Sequence, residues 1–388
     1  MDPAAEPALG LYIHWPYCAR ICPYCDFNVV RDRGRELEQA ALVDAIAEDL
    51  RAHAALTGPM RLVSIFFGGG TPSLMAPRDA GRLIELAKSL WPAQSLWPAE
   101  PDLEVTLEAN PTDAEAQRFA EFARAGVNRL SLGVQALDDE ALAFLGRNHD
   151  AAAAIRAVET AAAIFPSLSL DLIYALPGQT PAAWTQALRQ ADALGAAHIS
   201  AYQLTIAGGT PFERAVQRGR FAPVDPDLAA TLYETTQATL EDLGYTAYEI
   251  SNHAKVPQAR SRHNLVYWRG ETYVGVGPGA HGRLTTPQGR LAVEAQSRIS
   301  DYITEVARSG RGWSTSELLD PRAVQEERVF MGLRTDEGVA SELIAELSAS
   351  ATASDLIAAG LLRRIGARIS ATPRGRLVLD RLVSDLLT

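Results

Sequence analysis

Short runs of apolar residues recur along the first two thirds of the chain, and turn residues follow each run. The runs lie at 11–15, 62–67, 103–109, 129–134, 168–176 and 198–204. Amphipathic stretches typical of helices separate them, for example at 36–56 and 114–126. Six strand–helix units in series predict a parallel sheet that is covered by helices. The pattern leaves two alternatives, an open doubly wound sheet and a partial barrel.

The alternation ends near residue 250, which suggests a change of domain. We expect a disordered tail at 1–10 and a core at 11–285. Within that core, the segment 261–282 is rich in glycine and aromatic residues, and we interpret it as strand and loop that close the edge of the sheet. A linker is predicted at 286–315. Residues 316–388 predict a small helical domain with two short strands and a turn at 373–375, similar to a winged helix.

Composition excludes some classes of function. The 388 residues carry a net charge of −11, which argues against nucleic acid as a partner because such proteins need a basic face. No run approaches the ~18 apolar residues of a membrane-spanning helix, and Asp2 and Glu6 stand where a signal peptide carries positive charge. The chain also has three cysteines that we expect to be unpaired thiols. The absence of an export signal and the free thiols together predict a cytoplasmic protein.

Cys18, Cys22 and Cys25 are the only cysteines, and they form the spacing C-x3-C-x2-C. Structural zinc usually takes four ligands in two pairs, and no second pair exists, although His14 could serve as a fourth ligand at an unusual spacing. A disulfide would leave one thiol over. Three thiolates on one loop suit a [4Fe–4S] cluster in which one iron stays open for another ligand. Zinc is the main alternative.

Polar residues and glycines recur where successive strands end. Gly69, Gly70 and Thr71 follow the second strand, and each later polar residue singly could be a helix cap or a solvated charge. Because ligand sites in parallel βα folds gather at the carboxyl ends of the strands, their repetition predicts one shared pocket. Glu108 and Asp171 could accept hydrogen bonds from an amino group or from ribose hydroxyls. Gln135 is a further polar candidate at a strand end. Arg147 could pair with a carboxylate.

The cysteine spacing with Tyr24 beside it resembles the radical S-adenosylmethionine (radical SAM) superfamily. GGGTPS, LEANP, RLSLGVQ, LGRNH and DLIYALPGQT are similar to its coproporphyrinogen III oxidase-like branch, over residues 10 to 285. The resemblance implies a partial (β/α)6 barrel and a [4Fe–4S] cluster on the three cysteines. It also implies that S-adenosylmethionine contacts Tyr12, Tyr24, Gly69, Gly70, Thr71, Glu108, Gln135, Arg147 and Asp171.

Two functions occur in that branch, the oxygen-independent coproporphyrinogen III oxidase and the HemW-type heme chaperone. The oxidases resemble C-x3-C-x2-C-x-C, whereas here Phe27 stands in place of the fourth cysteine, and only 17 residues precede Cys18. Residues 263–268, HNLVYW, are similar to the H-N-x-x-Y-W motif of the chaperones. We therefore favour the chaperone and keep the oxidase as the alternative.

The motif also has a chemical interpretation. An imidazole is a common axial ligand of heme iron, so His263 is the candidate ligand. His253 and His281, which flank it in the sequence, are the alternative ligands. Tyr267 and Trp268 offer flat apolar faces to a macrocycle. The expected partners are heme as cargo, a heme-accepting protein that could be membrane-associated, and an electron donor. A homodimer is compatible with the sequence.

Overall fold

The structure, a computed structural model, describes residues 7–92, 103–347 and 350–387, and it follows the predicted alternation of strands and helices. The strands are β1 (Ala8–Trp15), β2 (Tyr17–Cys18), β3 (Val30–Arg31), β4 (Arg61–Gly69), β5 (Glu104–Ala109), β6 (Arg129–Gln135), β7 (Ser167–Tyr174), β8 (His198–Gln203), β9 (Thr246–Ala247), β10 (Asn252–Ala254), β11 (Thr272–Val276), β12 (His281–Thr286), β13 (Gly289–Ala295), β14 (Trp313–Leu318), β15 (Val339–Ala340), β16 (Leu362–Ile365) and β17 (Arg368–Ala371).

Helices connect these strands and cover the sheet. They are α1 (Glu36–Thr57), α2 (Pro77–Leu90), α3 (Asp113–Ala116), α4 (Phe119–Arg124), α5 (Asp139–Phe144), α6 (Ala151–Ile164), α7 (Pro181–Ala193), α8 (Pro211–Gln217), α9 (Pro226–Asp242), α10 (Arg262–Trp268), α11 (Ile299–Ser309), α12 (Pro321–Gly332), α13 (Ser341–Leu347), α14 (Ser350–Ala358), α15 (Pro373–Arg376) and α16 (Leu379–Leu387).

The large sheet has the strand order β14-β13-β12-β11-β1-β4-β5-β6-β7-β8-β10-β9. Its six central strands from β1 to β8 are parallel and follow one another in chain order. A doubly wound sheet would reverse direction at a switch point, and this order does not. The sheet of the described residues begins at β14 and ends at β9 without closing, so the predicted partial (β/α)6 barrel is confirmed.

The two faces of the central strands differ in chemistry. Leu9, Leu11 and Ile13 of β1 are fully buried on the outer face, where they join the large apolar core with α1. Successive side chains of a strand point to opposite faces, so the intervening residues point into the barrel. Along β5 to β8 many of these inward residues are polar: Thr106, Glu108, Ser131, Gln135, Ser169, Asp171 and Ser200.

The structure corrects two of the predicted domain boundaries. Ala8, Leu9 and Gly10 belong to β1 and pair with β4, and Leu9 and Gly10 also pair with β11. The predicted tail at 1–10 is therefore wrong there, and residues 1–6 lie outside the described residues. The predicted linker at 286–315 is also wrong, because β13, α11 and β14 extend the sheet. Tyr302 of α11 explains this, since its buried hydroxyl donates to Asp49 Oδ2 at 2.7 Å.

The segment 261–282 also differs from its interpretation as strand and loop at a sheet edge. Ser261 caps the amino terminus of α10 by accepting a hydrogen bond from Asn264 N, and Leu265 and Val266 are buried. The helix contacts β1 and β4, and Val266 packs beside Gly10. The following strand β11 then pairs with β1 inside the sheet.

The C-terminal domain has its own small sheet, in the order β15-β17-β16, and its own apolar core from α12, α13, α14 and α16. This agrees with the predicted winged-helix-like domain. The predicted turn at 373–375 is helix α15, and the strands β16 and β17 join instead at Gly366, where φ is +58°. Ion pairs of Arg260 with Asp336 and of Arg269 with Glu337 connect this domain to the barrel.

Candidate functional site

The three cysteines lie on one loop at the carboxyl end of β1. Cys18 ends β2, and the loop from 19 to 29 carries Cys22 and Cys25 before β3 returns to pair with β2. The amide of Cys25 donates to the carbonyl of Cys22 at 3.2 Å, which forms a tight turn. All three thiols line the same cavity, which has a volume of about 520 Å³. We refer to residues 18–29 as the cysteine loop and to this space as the first cavity.

The glycines at the end of β4 support the base of the cysteine loop. Gly70 N donates to Trp15 O and Thr71 N donates to Tyr17 O, both at 2.8 Å. A Cβ atom on Gly70 would lie 2.7 Å from Tyr17 O, closer than real contacts allow. Gly69 has a φ of +107°, which favours glycine. The glycines are therefore required by packing against residues 14–17, which lead into the cysteine loop, and Gly69, Gly70 and Thr71 also line the cavity.

Arg147 connects the cysteine loop to the opposite wall of the first cavity. Its Nη1 donates to Cys22 Sγ at 3.2 Å and to the Tyr24 hydroxyl at 3.4 Å. Its Nη2 donates to Asn110 Oδ1 and to Gly133 O, the latter at 3.1 Å. These contacts fix Cys22 Sγ and Tyr24 relative to β6 on the opposite wall.

Cys18 is the most buried of the three thiols. Burial raises the pKa of the Cys18 thiol to about 11, although a hydrogen bond with Thr71 acts in the opposite direction. In the metal-free chain this thiol is therefore protonated at neutral pH. Because metal ligation requires the thiolate, we expect iron binding here to release a proton.

Acidic and amide groups form the far wall of the first cavity. Glu108 Oε2 accepts a hydrogen bond from Gly69 N at 3.1 Å, and Asp171 accepts from Ser131 Oγ at 2.9 Å. Gln135 ends β6 with a φ of +66°, and its buried Oε1 has no hydrogen-bond partner among the described residues. Left-handed backbone at a non-glycine residue is costly and concentrates at ligand sites. An unpartnered buried acceptor in a cavity fits a ligand that donates hydrogen bonds.

Burial raises the pKa of the Glu108 carboxyl from 4.5 to about 8, the neighbouring Asp171 adds to the rise, and the hydrogen bond from Gly69 N opposes it. In the cofactor-free protein the unfolded chain therefore loses this proton at lower pH than the folded chain does. We expect the free energy of unfolding to fall as pH rises from about 4.5 to about 8. Urea unfolding across this range should show a smaller fall in Glu108→Gln. The exposed Glu121→Gln serves as control, and equal pH slopes in Glu108→Gln and wild type would contradict the assignment.

A second cavity of about 400 Å³ adjoins the first, on the side of β11 and β12. The two cavities share Phe27, Gly69 and Glu108. Tyr12 lies on this second cavity, whereas the other predicted S-adenosylmethionine contacts line the first. The Tyr12 hydroxyl is 3.0 Å from His14 Nδ1, and its ring stacks on Phe66. The residues that line the second cavity are Tyr12, His14, Phe27, Asn28, Gly69, Glu108, Tyr267, Tyr273, Gly279 and His281.

The three heme candidates of the motif 263–268 differ in their access to the two cavities. Tyr267 lines the second cavity, whereas His263 and Trp268 line neither of the two cavities. His263 is only 2% exposed, with Nδ1 3.0 Å from Ser64 Oγ and Nε2 2.8 Å from the Tyr267 hydroxyl. Burial lowers the pKa of His263 to about 3, so the ring is neutral. In this conformation His263 can bind iron only by losing one of these two hydrogen bonds.

Sequence reasoning missed several polar residues of the first cavity. Asn110 bridges Arg147 and Thr71, and Arg129 and Asn252 are buried at the cavity wall. A signal for part of this set exists, because Arg129, Ser131, Gly133 and Gln135 alternate along one strand and therefore share its inner face. Asn252 lies in a short strand, and only the fold brings it to the cavity.

A partial barrel of six parallel βα units, with three thiols beside a glycine-lined polar cavity at the end of its first strand, defines the radical SAM class. The family model of the radical SAM superfamily matches residues 12–191, and that of the HemN C-terminal domain matches residues 319–378. The chain belongs to this superfamily, in its HemN-like branch, and resembles HemW. Membership implies a [4Fe–4S] cluster and S-adenosylmethionine as cofactors.

Relatives match along nearly the whole chain. Radical S-adenosyl methionine domain-containing protein 1, mitochondrial, of Mus musculus is 39% identical over 99% of this chain and 88% of its own. Heme chaperone HemW of Bacillus subtilis is 32% identical over 97% and 98%, and HemW of Escherichia coli is 40% identical over 75% and 74%. Among solved structures, coproporphyrinogen III oxidase (HemN) from Escherichia coli aligns with a TM-score of 0.79 at 22% identity, over 99% of this chain and 91% of that one.

The donor set of the cysteine loop fits a cluster better than a single ion. No group of three or more His, Cys, Asp or Glu side chains converges on one ion within residues 7–92, 103–347 and 350–387. A cluster takes one thiolate at each of three separate irons, so convergence is unnecessary. When bound, such a cluster supplies one-electron chemistry.

None of the described helices has the length and apolar character needed to cross a membrane.

Proposed function

We propose that this chain is a heme chaperone that holds a [4Fe–4S] cluster and S-adenosylmethionine, binds heme and delivers it to an acceptor protein. One observation carries the proposal, namely the nearly end-to-end similarity to HemW of Bacillus subtilis at 32% identity. The 22% identity to HemN supports a shared fold and does not extend to that enzyme's activity. The oxygen-independent coproporphyrinogen III oxidase is the alternative that the experiment below decides.

In this proposal the cofactors occupy the first cavity. Cys18, Cys22 and Cys25, which line this cavity, would hold the cluster, and its fourth iron would be free to bind S-adenosylmethionine. The residues proposed to contact S-adenosylmethionine there are Tyr24, Gly69, Gly70, Thr71, Glu108, Gln135, Arg147 and Asp171. Tyr12 lines the second cavity. It is proposed to contact S-adenosylmethionine from that side, beside Glu108, which lines both cavities.

Phe27 supports the choice of the chaperone. It stands where the oxidase pattern carries a fourth cysteine, it is 63% exposed, and it lines both cavities. An exposed aromatic side chain beside the cysteine loop offers an apolar contact surface to a flat ligand. A fourth thiol would add a reactive group there instead.

The proposal includes partners of stated chemistry. Heme is the cargo, and a heme-accepting protein, soluble or membrane-associated, receives it. Reduction of the cluster requires an electron donor, and a homodimer is a further prediction. A cytoplasmic location is proposed from the bacterial relatives, although other relatives are named mitochondrial proteins.

Two assays on one anaerobically reconstituted preparation test the function. We expect heme to bind with a saturable change in the Soret absorbance. With coproporphyrinogen III, S-adenosylmethionine and a reductant, we expect no protoporphyrinogen. Sustained decarboxylation without heme binding would establish the oxidase in place of the chaperone.

A further inference from the structure

The hydrogen bonds of the histidine ring nitrogens determine which imidazoles are available to a metal. The chain has seven histidines, and all of them lie within the described residues. Four have both ring nitrogens in hydrogen bonds: His14 with Tyr12 and Asn28, His53 with Asp49 and Trp313, His198 with Ser169 and Tyr248, and His263 with Ser64 and Tyr267.

The other three histidines differ in their access to a cavity. His253 is 1% exposed and lines neither cavity. His149 is half-buried, its Nε2 is 3.1 Å from Val134 O, and it also lines neither cavity. His281, the first residue of β12, is exposed and lines the second cavity. Two imidazoles line the second cavity, those of His14 and His281, and both ring nitrogens of His14 are already in hydrogen bonds. His281 is therefore the candidate ligand for iron in that cavity.

The walls of the second cavity suit a flat aromatic ligand. Tyr12, Tyr267 and Tyr273 contribute phenol rings, and Tyr267 meets Tyr273 edge to face at 4.4 Å between ring centroids. The volume of the second cavity lies within the ~300–1,000 Å³ that is typical of small-molecule sites. Phe27 and His281 are both exposed, so the cavity opens to solvent between them. A macrocycle bound there would keep one edge accessible to an acceptor protein.

The cysteine loop forms part of this cavity. Asn28 Nδ2 donates to Pro278 O, in the segment that leads into β12, and to Ser297 O, in the segment that leads into α11, both at 2.8 Å. A Cβ on Gly279 would lie 2.7 Å from Asn28 Nδ2, which shows how closely the cysteine loop packs on the segment before β12. The cysteine loop therefore contacts the chain two residues before His281.

We infer that His281 is the axial ligand of heme iron in the second cavity, with Tyr267 and Tyr273 against the macrocycle. This inference rests on the proposed function, because it names the site of the cargo. His263 is then a positioning residue, since its Nε2 holds the Tyr267 hydroxyl and its Nδ1 is held by Ser64. Imidazole binds ferric and ferrous heme iron in its neutral form, so this ligand needs no deprotonation of Tyr267.

The test uses full-length, cluster-reconstituted protein titrated with ferric heme, with the axial ligand identified by electron paramagnetic resonance and resonance Raman spectroscopy. We expect His281→Ala to lose histidine ligation and to raise the Kd at least about tenfold. Added imidazole should restore the ligation in this variant, which a merely structural defect would not permit. Tyr267→Phe should keep histidine ligation. Thr285→Ala, on the same exposed face of β12, is the matched control and should bind as wild type does.

The outcomes separate two kinds of failure. If wild type binds no heme, the proposed function fails and this inference fails with it. If wild type binds heme and His281→Ala keeps the same ligation and affinity, only His281 is wrong. Loss of the ligand in Tyr267→Phe would assign the iron to Tyr267. Loss of the ligand in a folded His263→Ala, with His281→Ala unaffected, would return it to the motif histidine.

Discussion

Cys22→Ala is expected to abolish cluster assembly while the fold survives. Three thiolates hold three irons, so removal of one leaves two irons without protein ligands. The cysteine loop should nevertheless persist, because backbone pairs between β2 and β3 close its base independently of the thiols. After anaerobic reconstitution, iron, inorganic sulfide and the visible absorbance should fall to background. The stability of the cofactor-free protein should change by less than about 1 kcal/mol.

Ile21→Ala is the matched control for this substitution. Ile21 precedes Cys22 in the same loop, is 42% exposed and carries no metal-binding atom. We expect it to reconstitute with the iron and sulfide content of wild type. Full iron and sulfide in Cys22→Ala would exclude Cys22 as a ligand and with it the three-cysteine cluster.

Gly70→Ala is expected to damage both the fold and the cluster site. The added Cβ would lie 2.7 Å from Tyr17 O and 2.8 Å from Trp15 O, and both are backbone atoms that cannot rotate away. Overpacking of this kind costs about 1–3 kcal/mol. The displaced backbone carries Cys18, so the iron content after reconstitution should fall as well. Urea unfolding of the cofactor-free protein measures the first effect, and iron analysis measures the second.

Gly81→Ala provides the comparison for that substitution. Gly81 lies in α2, where the nearest atom to an added Cβ is Ala125 Cβ at 3.4 Å, an ordinary contact. Alanine in a helix is favoured over glycine by about 0.5–1 kcal/mol, so this variant should be at least as stable as wild type. Wild-type stability and wild-type iron in Gly70→Ala would show that the end of β4 does not support the cysteine loop as described.

The sequence predicted the barrel well because its signals are local. Each of the six parallel strands is a short apolar run followed by turn residues, and Leu11 and Ile13 show the burial that such a run implies. The position of the cysteine loop could also be predicted, because its three cysteines lie within eight residues. Glu108 and Gln135 were found because polar residues at strand ends meet at one edge of a parallel sheet.

The errors concern features that depend on distant contacts. Tyr302 secures α11 to Asp49 of α1 across 253 residues, so the segment 286–315 had no local signal that separated it from a linker. The heme motif likewise gives no sign that His263 is buried and bonded to Ser64, which is 199 residues away, and its role as heme ligand stays a prediction. A motif shows that its residues act together, but it does not show which of them faces the cavity.

The two cavities meet at Phe27, Gly69 and Glu108, which gives a physical basis for coupling between them. A change in the cysteine loop at the first cavity would move Phe27 and Asn28, which form a wall of the second. One proposed site holds the cluster with S-adenosylmethionine, and the other holds heme. Binding at one of these sites would then affect binding at the other through the cysteine loop.

Elemental analysis of pure, oxygen-protected wild-type protein decides whether the three cysteines hold an iron–sulfur cluster. We expect iron and acid-labile sulfide in equal amounts and in the proportion of one [4Fe–4S] cluster per chain. Zinc bound in stoichiometric amount, with neither iron nor sulfide, would contradict the cluster and everything proposed from it.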